Sequence, residues 1–127
     1  IYSSIKKITK KSITTVFGCG GDRDKHKRSV MLDVVSKNSD FVIITSDNPR
    51  NETFDEITKD MLSNSSNDEI KRYFIVEDRE QAIKLGCTLS IQKKSLLLVA
   101  GKGHEKFQEK NGIKTPFDDK KIIIKYS

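Results

Sequence analysis

With 127 residues, the chain fits one domain and can bury roughly two-thirds of the surface its unfolded form exposes. It is polar, with 35% hydrophobic and 33% charged residues, but its apolar residues fall into periodic blocks, which argues against disorder. The net charge of +6 comes from scattered Lys and Arg with 7% aromatic residues and no Trp, so a solvated basic surface suited to small anions fits better than a nucleic-acid face.

In chain order, Tyr2, Ile5 and Ile8 recur every three residues and predict a short entering helix. Ile13 to Phe17 reads as the first strand, ending at Gly18. Val30, Met31, Val34 and Val35 then predict the apolar face of a helix that starts just after Ser29, and Phe41 to Thr45 a second strand. Thr53 and Glu56 form a capping-box pattern, followed by Phe54, Ile57, Met61 and Leu62 on one helical face. Ser63 to Asp68 is expected as a surface loop. Tyr73 to Val76 predicts the third strand. Asp78 and Gln81 open a helix with Ala82, Ile83 and Leu89 inward, and Leu96 to Ala100 is the fourth strand. Asn111-Gly112 supplies a tight hairpin turn. Beyond it, Asp118 and Asp119 can cap a helix, although Ile122 to Ile124 equally suit a strand.

This alternation defines an α/β fold: a mostly parallel sheet with helices on both faces and a C-terminal hairpin. The longest apolar run, Leu96 to Ala100, is far short of a membrane span. Residues Ile1 to Lys11 are charged and lack the apolar segment of a secretory signal. Without an initiator Met, the chain is expected to begin inside a longer protein. Cys19 and Cys87 have no ligand-like neighbours in sequence and read as buried thiols in a reducing compartment.

Ligands of open parallel sheets bind beyond the carboxyl ends of the strands. Of the four loops there, Gly18 to Arg28 and Gly101 to Glu105 combine glycine with fixed charge, Ser46 to Glu52 puts an acid, an amide and a guanidinium around a rigid Pro, and Glu77 to Arg79 is ordinary in composition. Glycine allows close backbone approach, and mixed Asp, Glu and Arg suit a zwitterion better than a phosphate. Neither glycine segment fits a phosphate loop, because Lys25 precedes His26 and Lys102 precedes Gly103.

Four segments carry a resemblance over essentially the whole chain: Val16 to Lys25 (VFGCGGDRDK), Thr45 to Arg50 (TSDNPR), Val99 to Glu105 (VAGKGHE) and Pro116 to Asp119 (PFDD). Together they resemble the C-terminal domain of Mur ligases of the meso-diaminopimelate-adding type, the UDP-N-acetylmuramoyl-tripeptide synthetases. The resemblance implies a Rossmann-like domain occupying residues 1–127, with N-terminal UDP-sugar and central ATPase domains outside this chain. It implies a cytoplasmic ligase of bacterial cell-wall synthesis that uses ATP and Mg2+ and adds meso-diaminopimelate to UDP-MurNAc-L-Ala-D-Glu. The isolated domain is then expected to be inactive, with no catalytic residue or metal site of its own and no nucleic-acid or membrane partner.

By the same resemblance, Arg50 clamps the distal carboxylate of diaminopimelate, and Asp47 and Asn48 hold the adjacent ammonium. Arg23, Gly101 and Glu105 complete the pocket around the rigid Pro49, and Asp22 and Lys25 reach ATP on domain closure. His26 departs from the small residue often found there. Alternatives stay open: L-lysine or L-ornithine as the amino acid, or a free-standing basic binding module. The plainer readings are a surface ion pair for Arg50, a turn for Asp47 to Pro49, a packing role for His104 and a solvated charge for Lys102.

Overall fold

The computed structural model describes residues 2, 3, 5, 12–102 and 105–127. Its strands are β1 (Ile13–Phe17), β2 (Phe41–Ile44), β3 (Tyr73–Ile75), β4 (Leu96–Ala100), β5 (Phe107–Lys110) and β6 (Ile113–Pro116). The helices with full bounds are α1 (His26–Asn38), α2 (Phe54–Met61), α3 (Asn67–Lys71), α4 (Arg79–Lys93) and α5 (Asp119–Tyr126). Four parallel strands form one sheet in the order β3-β2-β1-β4, and β5 and β6 make a separate antiparallel hairpin.

Alternation along the strands divides the core into two layers, because successive side chains point to opposite faces. Phe17, Val42 and Ile44 pack with Leu32 and Val35 of α1 and Ile57 and Met61 of α2. Val16 and Ile43 face the other way, against Ala82, Ile83 and Cys87 of α4, with Ile122, Ile123 and Tyr126 of α5 behind. The terminal isoleucines are therefore helical, Asp118 capping them through Lys120 N–H. Both cysteines are free and buried. At the N-terminus, Tyr2 and Ile5 lie in helical backbone, whereas Ile8 lies outside the described residues. The Tyr2 hydroxyl meets Thr15 Oγ1 at 2.8 Å, giving that buried threonine a partner.

Three local expectations are corrected. Helix α1 starts at His26, and its inward stripe is Arg28, Leu32 and Val35, while Val30, Met31 and Val34 are 59%, 46% and 48% exposed. The stripe was hidden in the sequence because its first member is an arginine, whose guanidinium is neutralised by Glu52 and Asp60. At α2 only half the capping box forms, Thr53 accepting from Glu56 N–H; the reciprocal pair is Ser66 and Glu69 at α3. That second box converts the end of the expected loop into a short helix starting at Asn67.

Asn111 and Gly112 both have positive φ, 51° and 78°, as a two-residue hairpin turn of the primed type requires. Arg79, fully buried at the start of α4, donates to Ser46 O, Ala100 O and the Asp119 carboxylate, so one side chain joins the ends of β2 and β4 to α5. Arg79→Ala should cost about 3–5 kcal/mol, since it strands a carboxylate and two carbonyls. Ser66→Ala, which removes a cap at the surface, should cost about 1 kcal/mol. Equal losses in equilibrium urea unfolding would show that Arg79 is not the tie described.

Candidate functional site

Parallel pairing places the carboxyl ends of β1, β2 and β4 side by side, with Phe17 matched to both Ile44 and Ala100. The loops leaving these ends meet in backbone contact: Gly21 N–H donates to Asn48 O at 2.7 Å. A Cβ on Gly21 would fall 1.8 Å from Pro49 O, so no other residue fits without moving the loop. Over Gly20, a Cβ would meet Arg50 Nη1 at 2.9 Å and Arg23 Cγ at 3.4 Å; the missing side chain is the space both arginines use.

A cavity of about 450 Å³ opens at this junction, within the usual range for small-molecule sites. Arg23, Asp47, Asn48, Arg50, Gly101 and Glu105 line it together. Pro49 does not. It is buried, its carbonyl accepts from Glu52 N–H and lies against Gly21, and it borders a different cavity of about 500 Å³ beside the hairpin. Asp22 and Lys25 sit exposed at the rim, tied to the β2–α2 loop through Glu52 and Asn51. His104 and Gly103 lie outside the described residues.

The hairpin holds the β2 loop in place. Arg50 N–H donates to Glu109 O, Asn111 N–H to Arg50 O, and Gln108 Nε2 to Asp47 O. Within this frame Arg50 has φ 52°, its Nη1 donates to Gly21 O at 3.0 Å, and its Nε lies 3.4 Å from Glu109 Oε1. Its Nη2 donates to no described residue. The ion pair with Glu109 thus exists, but on one edge of a half-buried guanidinium.

Asp47 and Asn48 are buried, not an exposed turn. Asn48 Oδ1 accepts from Lys102 Nζ and from Glu109 N–H, both at 2.9 Å, and Asn48 Nδ2 donates to Glu105 Oε1 at 2.9 Å. Lys102 is 3% exposed rather than solvated. Its ammonium also donates to Phe107 O and lies 3.2 Å from Asp47 Oδ1, in an ion pair outside hydrogen-bond alignment.

Cys19, Asp24, Lys27 and Arg28, which the sequence placed in a candidate loop without assigning them to the pocket, also line the cavity, as does Met31, expected on the inward face of α1. A signal existed for two of them: Lys27 and Met31 stand four apart on α1 and therefore share a face. Cys19 is no nucleophile at neutral pH, because burial pushes its thiol up to about 11, against the pull of nearby Arg28. Arg28 forms the floor, donating to Gly20 O, Glu52 and Asp60. Those hydrogen bonds hold the Glu52 carboxyl down to about 2 against its partial desolvation, with Asp22 N–H adding to the effect.

A family model described as "Mur ligase, glutamate ligase domain" matches residues 1–103. The chain therefore belongs to the Mur ligase family, as that domain. Among curated relatives, the UDP-N-acetylmuramoyl-L-alanyl-D-glutamate–2,6-diaminopimelate ligase of Cytophaga hutchinsonii is 50% identical over 111 residues, covering 87% of this chain and 23% of the relative. The ligases of that name from Rickettsia typhi (42% identity, 90% of this chain, 22% of the relative) and Clostridium acetobutylicum (41%, 99% and 25%) are similar over the same region. A solved structure of a ligase with that name superposes with TM-score 0.85 and 35% identity over 98% of this chain and 26% of its own. The chain thus spans about a quarter of the length of the relatives it matches.

The Arg28–Glu52 pair predicts an acid dependence of stability. The folded pKa of Glu52 lies below its ordinary value of 4.5, so the pair stabilises the fold fully above that pH. The contribution is lost as pH falls from about 4.5 toward about 2. Urea unfolding across this window should show a shallower pH slope for Glu52→Gln; an unchanged slope would count against the pairing.

Proposed function

We propose that this chain is the amino-acid-binding domain of an ATP-dependent, cytoplasmic ligase that joins meso-diaminopimelate to UDP-MurNAc-L-Ala-D-Glu in peptidoglycan synthesis. The observation that carries this reading is a single cavity that brings the Arg50 guanidinium together with the Asp47 and Glu105 carboxylates, Arg23, Asp24 and Arg28 lining it beside them. The shared name of the relatives supplies the substrate class.

A diamino diacid presents two carboxylates and two amines, one of which must stay free to react. Arg50 Nη2 takes the distal carboxylate, with Arg23 reinforcing the positive side. Asn48 has its oxygen occupied, so toward the cavity it offers an amide N–H rather than an acceptor. The ammonium beside the distal carboxylate is accordingly assigned to Asp47 Oδ2 and Glu105 Oε2, two acceptors with no hydrogen-bond donor among the described residues. Gly101, whose missing side chain leaves Asp47 Oδ2 accessible, completes the pocket.

Among the described residues, no group of three or more His, Cys, Asp or Glu is placed to hold a metal ion, and the chain has no phosphate loop. ATP and Mg2+ belong in this proposal mainly to the central domain of the longer ligase, and the UDP-sugar to its N-terminal domain. What this chain supplies is orientation: the distal carboxylate and the ammonium beside it are fixed so that the amine at the other end faces an activated D-Glu carboxylate. Positioning of that kind lowers a bimolecular barrier by several kcal/mol.

Two measurements on the ligase carrying this domain test the proposal. In competition, L-lysine and L-ornithine should be poor substrates, because neither meets Arg50 with a second carboxylate; equal turnover would sink the clamp. Arg50→Ala should raise KM for diaminopimelate about 10- to 100-fold, the loss of one charge-assisted pair, and leave KM for ATP within about twofold.

A further inference from the structure

Lys102 does not line the cavity, yet its buried ammonium contacts two residues that do. It holds the oxygen of Asn48 and is paired with one oxygen of Asp47. With Glu109 N–H on the same Asn48 oxygen, both of its lone-pair directions are used. A flipped amide would set NH2 against an ammonium and an N–H, three donors with no acceptor, so the orientation is locked. The locked amide in turn directs Nδ2 to Glu105 Oε1, and the other oxygen of Glu105 has no hydrogen-bond donor among the described residues. Lys102 also pairs with Asp47, whereas Glu105 has no ion-pair partner among the described residues.

Building on the amino-acid reading above, we propose that Lys102 is a positioning residue for the amino-acid site. Acting through Asn48, it fixes the Glu105 carboxylate where the substrate ammonium binds and sets which end of the zwitterion that side accepts. A purely structural lysine, stapling the hairpin to the β2 loop through Phe107 O, would affect folding and every substrate alike.

The test uses the ligase carrying this domain, with KM for diaminopimelate, KM for ATP, kcat and thermal unfolding measured together. Lys102→Met alone would leave Asp47 buried without its cation and can unfold the domain, so it is combined with Asp47→Asn. The double variant strands neither charge, and in the Asp47→Asn reference the Lys102 ammonium keeps its hydrogen bonds to Asn48 Oδ1 and Phe107 O, with thermal unfolding checking that it folds. In that background Lys102→Met should raise KM for diaminopimelate about tenfold relative to Asp47→Asn, with KM for ATP and kcat within about twofold. In an Asp47→Asn, Asn48→Ala background, the same substitution should change KM less than about threefold, because the amide it orients is gone. An unchanged KM in the first background, equal losses for ATP, or an undiminished effect without Asn48 would each overturn the proposal. A wild-type ligase that ignores diaminopimelate would overturn the substrate reading instead, and Lys102 is then judged by the same comparison with the amino acid it does use.

Discussion

A parallel sheet leaves backbone carbonyls at its carboxyl edge and in the loops beyond, and this protein satisfies several of them with cations. Arg28 binds Gly20 O, Arg50 binds Gly21 O, Arg79 binds Ser46 O and Ala100 O, and Lys102 binds Phe107 O. Each of these cations also has a carboxylate: Glu52 and Asp60, Glu109, Asp119, and Asp47. A buried charge is tolerated only when it is both paired and hydrogen-bonded. Here one long side chain meets both requirements and in doing so ties two or three loops together.

That arrangement changes the meaning of the chain's basic character. Arg28, Arg79 and Lys102 are spent inside against carboxylates of their own, so these ion pairs leave the formal charge of +6 to other side chains. It also explains how a cavity can be lined largely by loops and still be defined. Pockets need precise polar groups, and loops are ordinarily the mobile part of a fold. Ion pairs with little solvent around them are weakly screened, and they hold these loops in place of strand pairing.

The main sheet was legible in the sequence because β-branched runs bounded by glycine or polar residues have few other ways to be buried. Ile13 to Phe17 and Leu96 to Ala100 were read to the residue; the second strand was read one residue long, because Thr45 turns its hydroxyl to Glu77 O in the next loop. Most of the site's loop residues were legible too, since glycine beside fixed charge beyond a strand end has few structural uses. What hid was charge placed inward. Arg28 in the buried stripe of α1 and Lys102 under the β2 loop look like solvent-facing residues, and only their distant partners, Glu52 and Asp47, show otherwise. Pro49 was misplaced for the opposite reason: it belongs to the motif, but it works through backbone shape on the far side of the loop.

The hairpin is the least expected contributor to the site. Arg50 occupies the left-handed region, a conformation that costs a non-glycine residue about 1–3 kcal/mol unless its surroundings enforce it. Backbone bonds to Glu109 and from Asn111, with the Glu109 carboxylate on Nε, supply that enforcement from an element outside the main sheet. With Nε and Nη1 engaged, only Nη2 remains to meet a ligand, so the guanidinium offers one defined edge. The short Asn111-Gly112 turn joins β5 to β6, and Arg50 bridges to β5 opposite Lys110, with Glu109 O and Asn111 N–H on either side. The direction in which the clamp points is thus set by residues some sixty positions away, through hydrogen bonds that carry no substrate chemistry themselves.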